Sequence, residues 1–195
     1  MRRLTTLFIG SLILAVPFGV MFWLFSGPDL ASYEEVKGDW VPTQAELLDR
    51  HHRPIHVLRT DYSIRRLHWV SLDEMSPALK DAMVAAEDWR FYQHEGVDWW
   101  AIGGVVRNAV LGGRLRGAST ITMQLVSLLN DDLARRGKRR GVIVKLAQMR
   151  AALSLERQWT KQQILETYLN LLVFKGEHQG IAATAHRVVG KAPSG

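Results

Sequence analysis

From residue 4 to residue 25 the chain has 22 positions without a charge, LTTLFIGSLILAVPFGVMFWLF. As a helix this run is about 33 Å long, enough to cross the hydrocarbon core of a bilayer. Residues 26–47, broken by Gly27, Pro28, Gly38 and Pro42, read as a juxtamembrane linker. From residue 54 to 70 the pattern is strand-like: Ile55 and Val57, then Ile64, Leu67 and Trp69, separated by the polar Thr60-Asp61-Tyr62-Ser63. It predicts a β-hairpin.

The period then becomes helical. Ser76 can cap and Pro77 suits a first helical position; Leu79, Met83, Val84 and Ala86 give an apolar face that ends at Glu87-Asp88. Asp98 can cap a helix over residues 99–111, whose Trp99, Trp100, Ile102, Val105, Val106, Val110 and Leu111 suit either a buried helix or one lying on a membrane. Helices follow over 120–130, 142–157 and 160–172. In the first, Ile121, Leu125, Leu128 and Leu129 form the core face and Thr120, Gln124 and Ser127 line another. The last opens with a T-x-x-Q capping box, Thr160 with Gln163, and its Ile164, Leu165, Tyr168, Leu169 and Leu172 are core by spacing. A short helix over 181–188 closes the pattern. The expected fold is mainly α with a small β-hairpin region, preceded by one transmembrane helix.

Charge orients this arrangement. Arg2 and Arg3 precede the apolar run and the first charge after it is Asp29, which leaves residues 1–3 in the cytoplasm and exports the rest. A signal peptide's apolar region is shorter, about 7–15 residues, so an uncleaved anchor is expected. With no cysteine, neither disulfides nor thiolate metal sites are available. Net charge is +6, with the basic residues gathered between Arg135 and Lys161 and densest in R-R-G-K-R-R, residues 135–140. That suits an anionic partner; export argues against nucleic acid and for phosphate on a lipid.

The chemistry centres on A-A-E-D-W-R-F-Y-Q-H-E-G-V-D, residues 85–98, four carboxylates and a histidine among aromatics. Glu87 falls at a helix C-terminus, where the macrodipole disfavours a further negative charge, and Phe91 and Trp89 are placed to shield it; both make a carboxylate a better base. Asp88 would tie down the following turn. G-A-S-T-I-T-M-Q, residues 117–124, opens a helix behind the basic loop G-G-R-L-R-G, and free helix N–H groups suit a phosphate. A base, an anion cradle, a cationic segment and an anchor fit transfer from a lipid-linked sugar diphosphate.

These residues bring out a resemblance. E-D-W-R-F-Y-Q-H-E-G-V-D resembles the first motif of the peptidoglycan glycosyltransferases, glycosyltransferase family 51. G-A-S-T-I-T-M-Q-L resembles their second, K-Q-Q-I-L-E-T-Y-L-N a later helix motif, and Q-G-I-A-A-T-A-H-R-V-V-G-K the closing segment. Order and spacing agree from about residue 48 onward, giving an expected catalytic domain over 48–195 that lacks the family's further C-terminal helices. Met123-Gln124 and Gln148 are similar to the 1C type of penicillin-binding protein, the short length to the monofunctional enzymes. No transpeptidase serine motif is present.

The resemblance implies a lysozyme-like domain at the outer face of the bacterial inner membrane that polymerises lipid II, with inversion at the donor C1. By position Glu87 is the general base; Asp88, Phe91 and His94 shape its pocket; Ser119, Thr120 and Gln124 lie in the donor cleft. Lys145 and Gln148 fall in the third motif near the diphosphate. No cofactor is required, although Mg2+ or Mn2+ at the diphosphate assists some members. Expected partners are lipid II, the growing glycan chain, the inner membrane and other cell-wall synthases. The segment 99–111 resembles the family's membrane-dipping jaw. Three positions depart from the pattern: Gln148 stands for a glutamate, Val144 for an arginine and Ser127 for a basic residue. The other readings are a non-catalytic member that binds lipid II or partner synthases, which those departures favour, and a lytic enzyme of the same fold, against which the lipid-diphosphate features argue.

Overall fold

A computed structural model describes residues 26–51, 54–113, 117–130 and 142–188, with isolated positions at Gly19, Trp23, Leu133 and Pro193. The expected transmembrane helix and the basic run 135–140 lie outside the described residues, apart from Gly19 and Trp23. Among the described residues no helix is long and apolar enough to cross a membrane.

In chain order the elements are α1 (Tyr33–Gly38), β1 (Gln44–Leu48), β2 (Pro54–Arg59), β3 (Arg65–Arg66), α2 (Pro77–Glu87), α3 (Trp99–Val110) and α4 (Ile121–Leu129). Then come α5 (Val142–Gln158), α6 (Lys161–Leu171), β4 (Val173–Lys175), β5 (His178–Gln179) and α7 (Ile181–Val188). Short 3-10 turns at Leu72–Glu74 and Phe91–Gln93 complete a mainly helical chain with two small sheets. The helices begin where their caps lie. The side chains of Ser76, Asp98, Thr120 and Thr160 each accept from a backbone N–H of the first turn, and Thr160 and Gln163 close the capping box.

Two differences stand out in the N-terminal part. The segment read as a linker carries α1, opened by a Ser32–Glu35 capping box, and β1. The hairpin is not 54–70 but β1 against β2, antiparallel, with Gln44 opposite Arg59. Thr60 to Ser63 form a turn held by Asp61, whose Oδ1 accepts from the Ser63 N–H and Oγ, both at 2.7 Å. The chain beyond keeps only the two-residue β3, parallel to β5, which pairs antiparallel with β4.

The main core lies between α4, α5 and α6, where Ile121, Leu125, Leu155, Ile164, Leu165, Tyr168 and Leu169 meet Phe91 and Met75. Leu79, Met83 and Val84 of α2 pack on it, while Ala86 stays exposed. A second cluster, Val97, Met123, Met149, Ala152 and Leu153, takes in Ile102 from α3. The remainder of α3 is not a buried helix in this chain. Trp99, Trp100, Val106, Val110 and Leu111 are exposed, Trp100 by 82%, and Val142, Ile143 and Leu146 at the start of α5 are exposed too.

The N-terminal segment is strapped onto this body. Arg150 of α5 donates to the Ser26 carbonyl and its guanidinium lies 4.8 Å over the Trp23 ring. Ser154 Oγ donates to the Pro28 carbonyl at 3.1 Å. Gly27 is required here, because a Cβ would come within 2.3 Å of Ser154 Cβ.

Candidate active site

An open cleft of about 640 Å3 lies between the end of α2, the face of α3 and the turn leading into α4. Glu87, Asp88, Ser119 and Thr120 are among its lining residues. Two of its walls are joined through Asp88. This residue caps α2, with its N–H donating to the Val84 carbonyl, and its buried Oδ2 accepts from the Ile121 N–H at 3.0 Å. A carboxylate at a helix N-terminus also meets the favourable end of the dipole. His94 Nε2 lies 3.1 Å from both oxygens of Asp88, so the acid is fully engaged by structure. One residue back, Glu87 ends α2 and points into the cleft, where Gln124 Nε2 donates to its Oε2 at 2.9 Å.

The expected shielding of Glu87 is absent in the isolated chain. Trp89 is 71% exposed, Phe91 is turned wholly into the core, and Glu87 itself is exposed. Phe91 therefore supports the site from behind. Its ring packs edge-on to His94 with centroids 6.5 Å apart, and Lys161 Nζ lies 4.4 Å above it. Lys161 also donates to the His94 carbonyl at 2.6 Å and pairs with Glu156 at 2.7 Å, which fixes the loop carrying the histidine.

Thr120 is likewise committed to the scaffold. It caps α4, accepting from the Met123 N–H, and its hydroxyl donates to the Gly96 carbonyl at 2.6 Å. Ser119 beside it accepts from Lys145 Nζ, so these two expected donor-side residues meet at the cleft edge. Gln148 does not reach the cleft. It is fully buried, and its Nε2 donates to Ser127 Oγ at 2.8 Å and to the Leu133 carbonyl at 2.9 Å. Two of the departures from the family pattern are thus hydrogen-bonded to each other.

Two groups were not marked by the sequence. Arg90 grips Asp98 through Nε at 2.9 Å and through a second nitrogen, while Asp98 accepts from the Ala101 N–H. Burial pushes the Asp98 carboxyl up, but Arg90 and the Ala101 N–H outweigh it and hold the group below its ordinary value. Tyr168, read only as core, donates its hydroxyl to Gln124 Oε1 at 3.1 Å. For Tyr168 the only sequence signal is a polar atom on a face otherwise set aside for packing.

The cleft does not fit a divalent ion held by the protein alone. Of its carboxylates, Asp88 and Asp98 are spent on His94, Arg90 and backbone N–H groups, leaving Glu87. Among the described residues no three candidate ligands cluster.

The family model described as Transglycosylase matches residues 53–195, and the chain belongs to that family. It is similar to the biosynthetic peptidoglycan transglycosylase of Rhodospirillum centenum, 42% identical over 63% of this chain and 51% of that protein. The protein of the same name from Mannheimia succiniciproducens is 34% identical over 71% of this chain and 55% of its own length. Penicillin-binding protein 1F of Bacillus subtilis is 38% identical over 60% of this chain and 16% of its own. The chain thus spans about half the length of the first two relatives and a small part of the third.

Proposed function

We propose that this chain is a peptidoglycan glycosyltransferase of lysozyme-like fold, which polymerises lipid II into β-1,4 glycan strands at the outer face of the bacterial inner membrane. The observation that carries the reading is Glu87, a carboxylate open to a cleft and held by Gln124 on a frame that Asp88 locks. Glu87 takes the proton from the acceptor sugar's 4-hydroxyl as that oxygen bonds to C1 of the donor. The bond from C1 to the diphosphate breaks, and the lipid diphosphate leaves with the electron pair. Attack from the face opposite the leaving group inverts C1. Lys145, resting on Ser119 at the cleft edge, is placed to meet the charge that develops on the diphosphate. Any Mg2+ or Mn2+ that assists arrives with the substrate.

An anchor at residues 4–25, as their uncharged apolar run leads one to expect, would suit this reading, because a lipid-linked donor confines the reaction to the membrane surface. The exposed apolar residues of α3 and early α5 support it too, a surface of the kind that lies in an interface. The growing glycan chain and other synthases are the expected partners there. General base catalysis contributes about 100- to 10,000-fold to such a step. Glu87→Gln should therefore lower polymerisation of labelled lipid II at least about 100-fold while the protein melts at its usual temperature. Polymer formation at the parent rate would overturn the assignment.

A further inference from the structure

Tyr168 lies on α6 with its ring in the main core and 1% of its surface exposed. A phenol at such depth brings a hydroxyl that must find a partner. The partner is the side-chain amide of Gln124, which in turn meets the candidate base: Tyr168 Oη to Gln124 Oε1 is 3.1 Å and Gln124 Nε2 to Glu87 Oε2 is 2.9 Å. The order of donors in this chain follows from its ends. An ionised carboxylate only accepts, so the amide must turn its NH2 to Glu87, and its carbonyl oxygen is then directed at Tyr168. That oxygen lies where α4 packs on α6, and the tyrosine hydroxyl there favours the inward position of the amide.

We propose that Tyr168 is a positioning residue for the transfer reaction, acting through Gln124 to hold the Glu87 carboxylate in one orientation. This rests on the reading of Glu87 as the base. Gln124 occupies Oε2, and Oε1 has no hydrogen-bond partner among the described residues, so one oxygen is tethered and the other is left to receive the proton. Geometry of this kind matters because a base must stand within hydrogen-bond reach of the hydroxyl it activates. Without the tyrosine hydroxyl the amide carbonyl loses its donor, the side chain swings to water, and Glu87 samples several rotamers.

The test is a double-mutant cycle on the full chain, with labelled lipid II as substrate. Tyr168→Phe and Gln124→Met should each lower kcat by about tenfold and leave KM within about twofold. The double variant should be no slower than Gln124→Met alone, because the tyrosine acts through the amide. Independent, multiplying losses would overturn the proposal, as would parent kcat in a folded Tyr168→Phe. A second measurement does not depend on turnover: the side-chain amide resonances of Gln124 should be shifted from those of free glutamine in the parent chain and return towards them in Tyr168→Phe. Should that variant fail to fold, Glu87→Ala releases the other end of the chain with the core intact and should move the same signals. Free-glutamine signals in the parent chain would sink the positioning role whatever the activity. Shifted signals in a chain that makes no polymer would leave it standing and sink the proposed reaction instead.

Discussion

Ser127 and Gln148 show what a single residue reveals and conceals. In the sequence they are two separate losses of charge relative to the family pattern, 21 positions apart. In the structure they are one hydrogen-bonded pair, with Ser127 Oγ also donating to the Met123 carbonyl at 3.0 Å. Both are neutral where the resemblance implies an anion and a cation, and Gln148 uses its second amide hydrogen on the Leu133 carbonyl. A carboxylate at this site would have no hydrogen for either acceptor: it would face the Ser127 oxygen, whose own hydrogen goes to Met123, and the Leu133 carbonyl oxygen. Gln148→Glu should therefore lower stability by about 2–4 kcal/mol, read from the urea midpoint at neutral pH. Adding Ser127→Lys should recover part of that loss; an equal or larger loss in the double variant would refute pairing as the cause. None of this was legible from the chain, because which helix faces meet is decided by packing and not by period.

At the scale of elements, the helices from Ser76 onward and strand β2 were legible, while α1 and strand β1 were not, for physical reasons that differ. Four of these helices carry their own start signal, Ser76-Pro77, Asp98, Thr120 and Thr160 with Gln163, together with an apolar face of the right period. Strand β1 reads QAELL, without a β-branched or aromatic residue, so local preference does not mark it and its pairing with β2 does the work. The joint between elements was half legible. Asp88 and Thr120 were singled out for the cleft, but what they do is lock α2 and the loop at Gly96 onto the start of α4. Gly96 has φ +83°, and a Cβ there would stand 2.7 Å from the Ala152 carbonyl oxygen of α5. No side chain is accommodated without moving that helix. Gly96→Ala should lower stability by about 2–3 kcal/mol and reduce polymerisation beyond what unfolding accounts for, since it shifts the loop that carries His94 and accepts from the Thr120 hydroxyl. A thermal melt and an activity assay on the same preparation separate the two effects; a parent-like melt would show the loop to be more yielding than its contacts imply.

On the scale of the whole molecule, one buried acid fastens the N-terminal segment to the helical body. Glu166 of α6 accepts from the Trp69 indole at 2.7 Å, the Leu72 N–H at 2.8 Å, Lys37 at 3.2 Å and the Tyr33 hydroxyl. Tyr33 and Lys37 belong to α1, directly after the segment strapped to α5, so this cluster fixes α1 against α6. Burial pushes the Glu166 carboxyl up, yet the donors from Tyr33, Trp69, Leu72 and Lys37 together outweigh it and hold the group below its ordinary 4.5. A depressed folded-state value means that the stabilisation is complete above about pH 4.5 and is lost as pH falls through the lower folded value. Glu166→Gln keeps the shape but turns an amide NH2 towards donors. It should cost about 2–4 kcal/mol at pH 7, measured by urea unfolding. The difference between parent and variant should hold from pH 7 to about pH 4.5 and shrink below it, because the parent then loses the same charge. A difference that stayed constant to pH 3 would assign the loss to shape, and the clamp would be one of packing and not of charge.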